Sequence, residues 1–207
     1  MMFMFGGSVN LQHFMKPNEP CSSPLHLACK SGCKLNVSIL LQFDADPDLL
    51  DSSGETCLHL AAAKDMTGEI TRKLINRGAN VNAQDRLFQE TPLHKAVKNN
   101  MLDNIQVLVN ATGIDVNMRD ARGDTPLHVA ARTTSDLNAL DLLLKAKSDL
   151  DLMNALGQTP MSVAQRARNK NAVSKIRQYD KGLAAGLTIP QPSPQTIRRR
   201  PNLMGSQ

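Results

Sequence analysis

Thr125-Pro-Leu-His-Val-Ala130 is the most informative stretch of this chain, because versions of it occur five times. The others are Ser23-Pro-Leu-His-Leu-Ala28, Thr56-Cys-Leu-His-Leu-Ala61, Thr91-Pro-Leu-His-Lys-Ala96 and Thr159-Pro-Met-Ser-Val-Ala164. Their starts lie 33, 35, 34 and 34 residues apart. A fixed period of this size marks an array of stacked units. Ser or Thr in first place can cap a helix, and Pro directly after it suits a first turn, where no backbone donor is needed. Leu in third place and Ala in sixth then share one helical face. Each motif is followed by a second apolar cluster: Val37 to Leu41, Ile70 to Ile75, Ile105 to Val109, Leu140 to Leu144, and Val173 with Ile176.

Between the two clusters stand turn residues: Gly32, Gly68, Asn99-Asn100, Ser135-Asp136 and Asn169. Helix stops follow the second cluster in Gly78-Ala-Asn-Val-Asn82, Thr112-Gly-Ile-Asp-Val-Asn117 and Lys147-Ser-Asp-Leu-Asp151. Then come Asp51-Ser-Ser-Gly54, Asp85-Arg-Leu-Phe88, Asp120-Ala-Arg-Gly123 and Asn154-Ala-Leu-Gly157, composed as tight turns. Each unit therefore reads as helix, turn, helix and hairpin-like finger. The Thr-Pro-Leu-His-x-Ala core, the Gly-Ala-Asn-Val-Asn entry and the Asp-x-x-Gly-x-Thr tip closely resemble the ankyrin-repeat family. The resemblance implies a mainly α solenoid of about five helix-turn-helix-hairpin units. It also implies that His26, His59, His94 and His128 hydrogen-bond backbone between adjacent loops. The third finger departs from the pattern, with one extra residue and no Gly, and the fifth unit carries Met161-Ser162 in place of Leu-His.

One unit cannot bury its own apolar face, so the ends of the array should be atypical. The first unit opens on Pro17-Asn-Glu-Pro20, with no recognisable finger before it. The fifth has a polar second helix, Asn171 to Tyr179, and no finger after it. The expected organisation is an extension over residues 1–20, an array over 21–180 with repeats beginning near 21, 54, 88, 123 and 157, and a basic, Pro-containing, disordered tail over 181–207.

Composition agrees with short packed helices. The 207 residues include no Trp, one Tyr and five Phe, so the core must be aliphatic. The net charge of +5 is unevenly placed: residues 1–164 hold 15 Lys/Arg against 18 Asp/Glu, and residues 165–207 hold 9 against 1. No apolar run approaches the roughly 20 residues of a membrane span, and the opening Met-Met-Phe-Met-Phe is too short for a secretory signal. A cytoplasmic or nuclear protein with reduced cysteines is expected, with no membrane partner.

Catalytic machinery is not expected. There is no phosphate loop, no His-Glu-x-x-His and no Gly-x-Ser-x-Gly. Cys21, His26, Cys29 and Cys33 are zinc-type ligands close in sequence, but His26 and Cys29 already have motif roles and paired C-x-x-C spacing is absent. No metal, cofactor or small-molecule substrate is expected.

The resemblance implies a partner protein bound through fingertips and the exposed side of the first helices. There the sequence sets Lys30, Lys98, Arg132 and Arg166 seven residues after each motif start, with Lys64 at the eighth position of the second unit. This basic stripe, most of it within the net acidic residues 1–164, suits an acidic or phosphorylated segment. Arg86, Leu87 and Phe88 on the third finger and Arg122 on the fourth complete the candidate contacts. Leu87 and Phe88 are either an exposed anchor or a finger folded back on its neighbour. The array alone is expected to be a monomer. It would serve as an adaptor or scaffold, or as a dedicated inhibitor similar to the ankyrin inhibitors of Rel-type transcription factors or cyclin-dependent kinases. A third use, nucleic-acid association through the tail with Arg198-Arg-Arg200, has little support without aromatic neighbours. Ser193, before Pro194, is a candidate phosphorylation site. The resemblance further implies Asn82 and Asn117 as candidate sites of asparaginyl hydroxylation.

Overall fold

The computed structural model describes residues 22–133 and 137–184. Its helices come in pairs: α1 (Pro24–Ser31) with α2 (Lys34–Gln42), α3 (Cys57–Lys64) with α4 (Glu69–Asn76), and α5 (Pro92–Lys98) with α6 (Leu102–Val109). They are followed by α7 (Pro126–Arg132) with α8 (Asn138–Lys145) and α9 (Pro160–Arg166) with α10 (Lys170–Ala184). Ser23, Thr56, Thr91, Thr125 and Thr159 are the caps of the first helices, and Pro follows four of them at the first helical position. First helices pack on first helices along the array, and second helices on second helices. Most of these helices have only two turns and would not persist alone in water, so packing holds them.

The shared face is the core. Leu25, Leu58, Leu93 and Leu127 are buried in the first helices, next to Ala28, Ala61, Ala96, Ala130 and Ala164. The second helices contribute Leu41, Ile70, Leu74, Ile105, Leu108, Leu140, Leu143 and Ile176. Two buried amides tie neighbouring units. Asn104 donates to the carbonyls of Ala61, Ala62 and Asp65 and accepts from Thr71 Oγ1, while Asn169 donates to Ala131 and Thr133.

The motif histidines form a relay. In His26, His59, His94 and His128, Nδ1 accepts the backbone N–H of the cap residue at 3.1 to 3.3 Å. Nε2–H then donates to the carbonyl of Glu55, Glu90, Asp124 or Gln158 at the base of the next finger, at 2.9 to 3.1 Å. Because a backbone N–H can only donate, Nδ1 must be bare, and the rings are neutral Nε2–H tautomers. Burial, against the pull of nearby carboxylates, holds His59 and His94 below the usual imidazole range. Ser162 in the fifth unit returns its hydroxyl to Thr159 O, so this unit lacks the histidine relay of the other four.

Each finger closes on itself. Asp51 N bonds Glu55 O, Asp120 N bonds Asp124 O, and Asn154 N bonds Gln158 O, with Gly54, Gly123 and Gly157 at φ 74°, 72° and 68°. The third finger closes one residue wider, from Asp85 N to Glu90 O, and Gln89 takes the left-handed place at φ 52°. Successive fingers are laddered: Asp48, Asn82 and Asn117 side chains accept from the backbone N–H of Asn80, Asp115 and Asp149.

α10 differs from the sequence expectation. It continues to Ala184, four residues into the segment read as tail, with Gly182 in right-handed helical backbone. Glycine in a helix costs only about 1 kcal/mol, so Gly182 alone does not end α10. Cys21, Ser135-Asp136, Ser193 and Arg198-Arg-Arg200 lie outside the described residues.

Candidate partner-binding groove

The fingers and the first helices frame two grooves on one face of the array. One, about 370 Å³, is lined by Lys30, Leu27, Ser53, Lys64, Lys95 and Lys98, among others. The other, about 610 Å³, runs between the third and fourth fingers and the ends of α5 and α7; Phe88, Glu90, Lys98, Arg122, Val129 and Arg132 line it. Lys98 borders both. Of the nine residues singled out for partner binding, Lys30, Lys64, Phe88, Lys98, Arg122 and Arg132 thus meet along this surface. Arg166 is exposed on the equivalent turn of α9 but lines neither groove.

The stripe is not uniformly charged. Lys98 Nζ lies 2.9 Å from Glu90 Oε1, and Arg132 reaches Asp124 Oδ2 at 3.1 Å. Both acids stand immediately before a motif, eight residues before their cation. The end units have Ser22 and Gln158 in that place. Accordingly Lys30 and Arg166, and also Lys64, pair with no carboxylate among the described residues.

Lys95 is the central residue that the motif reading passed over. It occupies the fifth motif position, where the other units have Leu27, Leu60, Val129 and Val163. Its ammonium, with the side chain only 14% exposed, meets Glu55 Oε1 and Asp85 Oδ2 at 2.8 Å and Glu90 Oε2 at 3.0 Å. Burial alone would lower the Lys95 pKa, but the three carboxylates raise it well above the ordinary lysine value. Burial likewise pushes Asp85 and Glu90 up; Lys95 acts on both and Lys98 on Glu90, and both carboxyls end below the usual range. This cluster clamps the base of the second and third fingers to α5.

The clamp positions Phe88. Its backbone N–H donates to Asp85 Oδ1 at 2.7 Å, and its carbonyl accepts from Ala121 N of the fourth finger at 2.8 Å. The ring centroid is 5.9 Å from Lys95 Nζ and 5.6 Å from Lys98 Nζ, within cation–π range. Half of Phe88 remains exposed, so the finger both folds back and presents a ring to the groove. Leu87 projects away, 64% exposed. Arg86 is a packing residue as well as a charge: a Cβ on Gly54 would fall 2.3 Å from its Cγ, so its stem lies across the second fingertip. Arg122 similarly engages the last finger, its carbonyl accepting from Ala155 N.

Asn82 and Asn117 sit within the ladder. Asn82 accepts from Asp115 N and donates to Gly113 O at 2.8 Å, and Asn117 accepts from Asp149 N at 2.9 Å. In the first unit, His26 is committed to Ser23 and Glu55, while the buried Cys29 faces Cys57. The Cys57 thiol is pushed up by its hydrogen bond with Cys29 and by burial, so it stays protonated and unreactive.

The model of a family described as ankyrin repeats, in three copies, matches residues 4–85 and 62–154. The chain belongs to the ankyrin-repeat family. The match begins within the segment read as an N-terminal extension and ends before the fifth motif. Over 118 residues, 56% of the chain, the array is 35% identical to a probable 26S proteasome regulatory subunit, p28, of Saccharomyces cerevisiae, covering 50% of that protein. It is 41% identical over 70 residues to human NF-kappa-B inhibitor alpha, covering 31% of this chain and 22% of the relative. Human rabankyrin-5 is 36% identical over 106 residues, or 51% of this chain and 9% of that protein. The chain therefore spans half or less of the length of these relatives. Ankyrin arrays are generally non-catalytic, and this one is a protein–protein interaction module. Among the described residues no helix is long and apolar enough to cross a membrane.

Proposed function

We propose that the array holds an acidic or phosphorylated segment of another protein along the surface joining the two grooves. The observation that supports this most directly is the convergence of Lys30, Lys64, Lys98 and Arg132 with Phe88 on one face of an array that is otherwise net acidic. An excess of one charge in a bounded cleft, here lysines and arginines over Asp51, Glu55, Glu90 and Asp120, raises the local concentration of oppositely charged ligand, and an aromatic ring beside it supplies an anchor. As a rigid scaffold, the array would act by holding or covering that segment rather than by chemistry. No metal or cofactor enters this reading. Buried, unbridged Cys29 and Cys57 suit a reducing cytoplasmic or nuclear compartment. A dedicated inhibitor, which masks its partner's working surface, is the second reading; the similarity to an inhibitor named for NF-kappa-B favours it.

The pairing pattern selects the test. Reversing Lys98 or Arg132 would set two carboxylates against each other and disturb the fold. Lys30→Glu/Lys64→Glu removes two groove cations that lack a protein carboxylate and leaves the clamp untouched. Capture of a partner from reducing extract should be salt-sensitive and lost in this double variant, with circular dichroism unchanged. Undiminished capture would reject the groove as the site.

A further inference from the structure

The two grooves differ in a way that specifies what should lie in each. In the groove at Lys30 and Lys64 these two cations have no carboxylate partner and stand apart on two helices; the acids in its lining are already engaged, Asp51 by the backbone N–H groups of Ser53 and Glu55 and Glu55 by Lys95, and no arginine lines it. A phosphate dianion is held best by convergent or bidentate donors, whereas separated ammonium groups suit carboxylates spaced along a chain. In the second groove Lys98 and Arg132 are already neutralised by Glu90 and Asp124, Arg122 shares the lining with Asp120, and Phe88, Ala121 and Val129 supply apolar surface. An acid there would meet Glu90 and Asp120, whereas an aliphatic side chain would meet the half-exposed Phe88 ring.

Resting on the function proposed above, we propose that the bound segment is bipartite. Glutamate or aspartate residues lie over Lys30 and Lys64, and one large aliphatic side chain seats between Phe88 and Val129. The segment passes Lys98, the residue shared by both grooves, so acidic and apolar parts follow one another in a fixed order along one chain. Recognition is then by sequence order as well as by charge.

The test uses the full 207-residue chain and four fluorescent twelve-residue peptides, read by anisotropy. The first carries glutamates in its N-terminal half and a single leucine in its C-terminal half. The second has the reverse order, the third has the glutamates without leucine, and the fourth replaces those glutamates by phosphoserines. One of the two leucine peptides, and not the other, should bind at least about tenfold tighter than the third, the order of effect of burying one aliphatic side chain. Phe88→Ala should remove that tenfold and leave the third peptide's affinity unchanged, while Phe88→Leu should keep most of it. Lys30→Gln/Lys64→Gln should weaken the first three peptides alike and flatten their salt dependence. If leucine adds nothing in either order, or Phe88→Ala weakens the third peptide equally, the bipartite site is refuted and the acidic-segment reading stands. If the phosphoserine peptide binds tenfold tighter than the third, the commitment to carboxylates is wrong. If binding of every peptide is indifferent to Lys30→Gln/Lys64→Gln, the functional reading fails as well.

Discussion

Replacing Lys95 by Met tests whether the third finger is clamped electrostatically. Methionine fits a position that is aliphatic in the other four repeats, so hydrophobic patterning alone predicts a neutral or stabilising change. The geometry predicts the opposite. Without the ammonium, Asp85 and Glu90, 1% and 9% exposed, and Glu55 at 21% face one another with only Lys98 near Glu90. Breaking a buried pair by removing one partner costs about 3–5 kcal/mol. Partial access of water and the surviving Lys98 contact argue for the lower end, about 3 kcal/mol, or a fall in Tm of roughly 6–12 °C for an array of this size.

The pH dependence distinguishes this loss from poor packing. In the native cluster the depressed Asp85 and Glu90 pKa values give stability that is present above the unfolded carboxylate range and lost as pH falls through the folded values. In Lys95→Met Asp85 is buried without a counter-charge and rises above its unfolded value, while Glu90 keeps only Lys98, so the folded state binds more protons than the unfolded state near pH 5. The penalty measured by urea unfolding, mutant against parent at each pH, should shrink by at least half between pH 7 and pH 5. Asp85→Asn in the Lys95→Met background should recover part of it. A penalty under about 0.5 kcal/mol, or one that is the same at both pH values, would refute the clamp and leave Lys95 as a tolerated surface charge.

The histidine relay has its own pH window. Since the folded pKa values of His59 and His94 are lowered, stability should decline as pH falls below about 6.5, the unfolded imidazole value, and a flat urea midpoint from pH 7 to 5 would contradict the neutral tautomers. Gln89→Gly should stabilise by up to about 1 kcal/mol in urea melts, because it relieves a left-handed non-glycine backbone at φ 52°. Gly123→Ala should destabilise by about 2 kcal/mol or more, since φ is 72° and the new Cβ would lie 2.7 Å from Ala155 N in the next finger; thermal melting checks this. Asn104→Ala should cost about 2–3 kcal/mol by the same assay, because it strips a buried donor from the carbonyls that join the second and third repeats.

The repeat architecture could be read from sequence because each unit repeats the same local chemistry. Cap, proline, leucine, histidine and alanine act within one helix, and the period then reports the stacking. The Lys95 clamp is not local. Glu55 and Lys95 are 40 residues apart, and only the stacking of the second finger on α5 makes them neighbours. Phe88 could be read as unusual but not as oriented, because its direction depends on that clamp and on a backbone bond to Ala121 of the next finger. The helix α10 ran past its expected end because a single glycine, Gly182, costs too little to stop a helix.

One long-range feature was nevertheless present in the alignment of the units. The residue before each motif and the cation eight positions later form a column pair: Glu90 with Lys98 and Asp124 with Arg132 in the middle, but Ser22 with Lys30 and Gln158 with Arg166 at the ends. Read singly, the cation column suggests a uniform stripe. Read together, the two columns place neutralised cations at the centre of the array and unneutralised ones at its ends. In the second unit Glu55 turns to Lys95, leaving Lys64 without a carboxylate although the column contains an acid. A repeat array keeps its fold in the residues its units share. Its specificity must then lie where the units depart from one another, and here Lys95, Phe88 and Lys64, with the Ser22 and Lys30 pair, gather around the same two grooves.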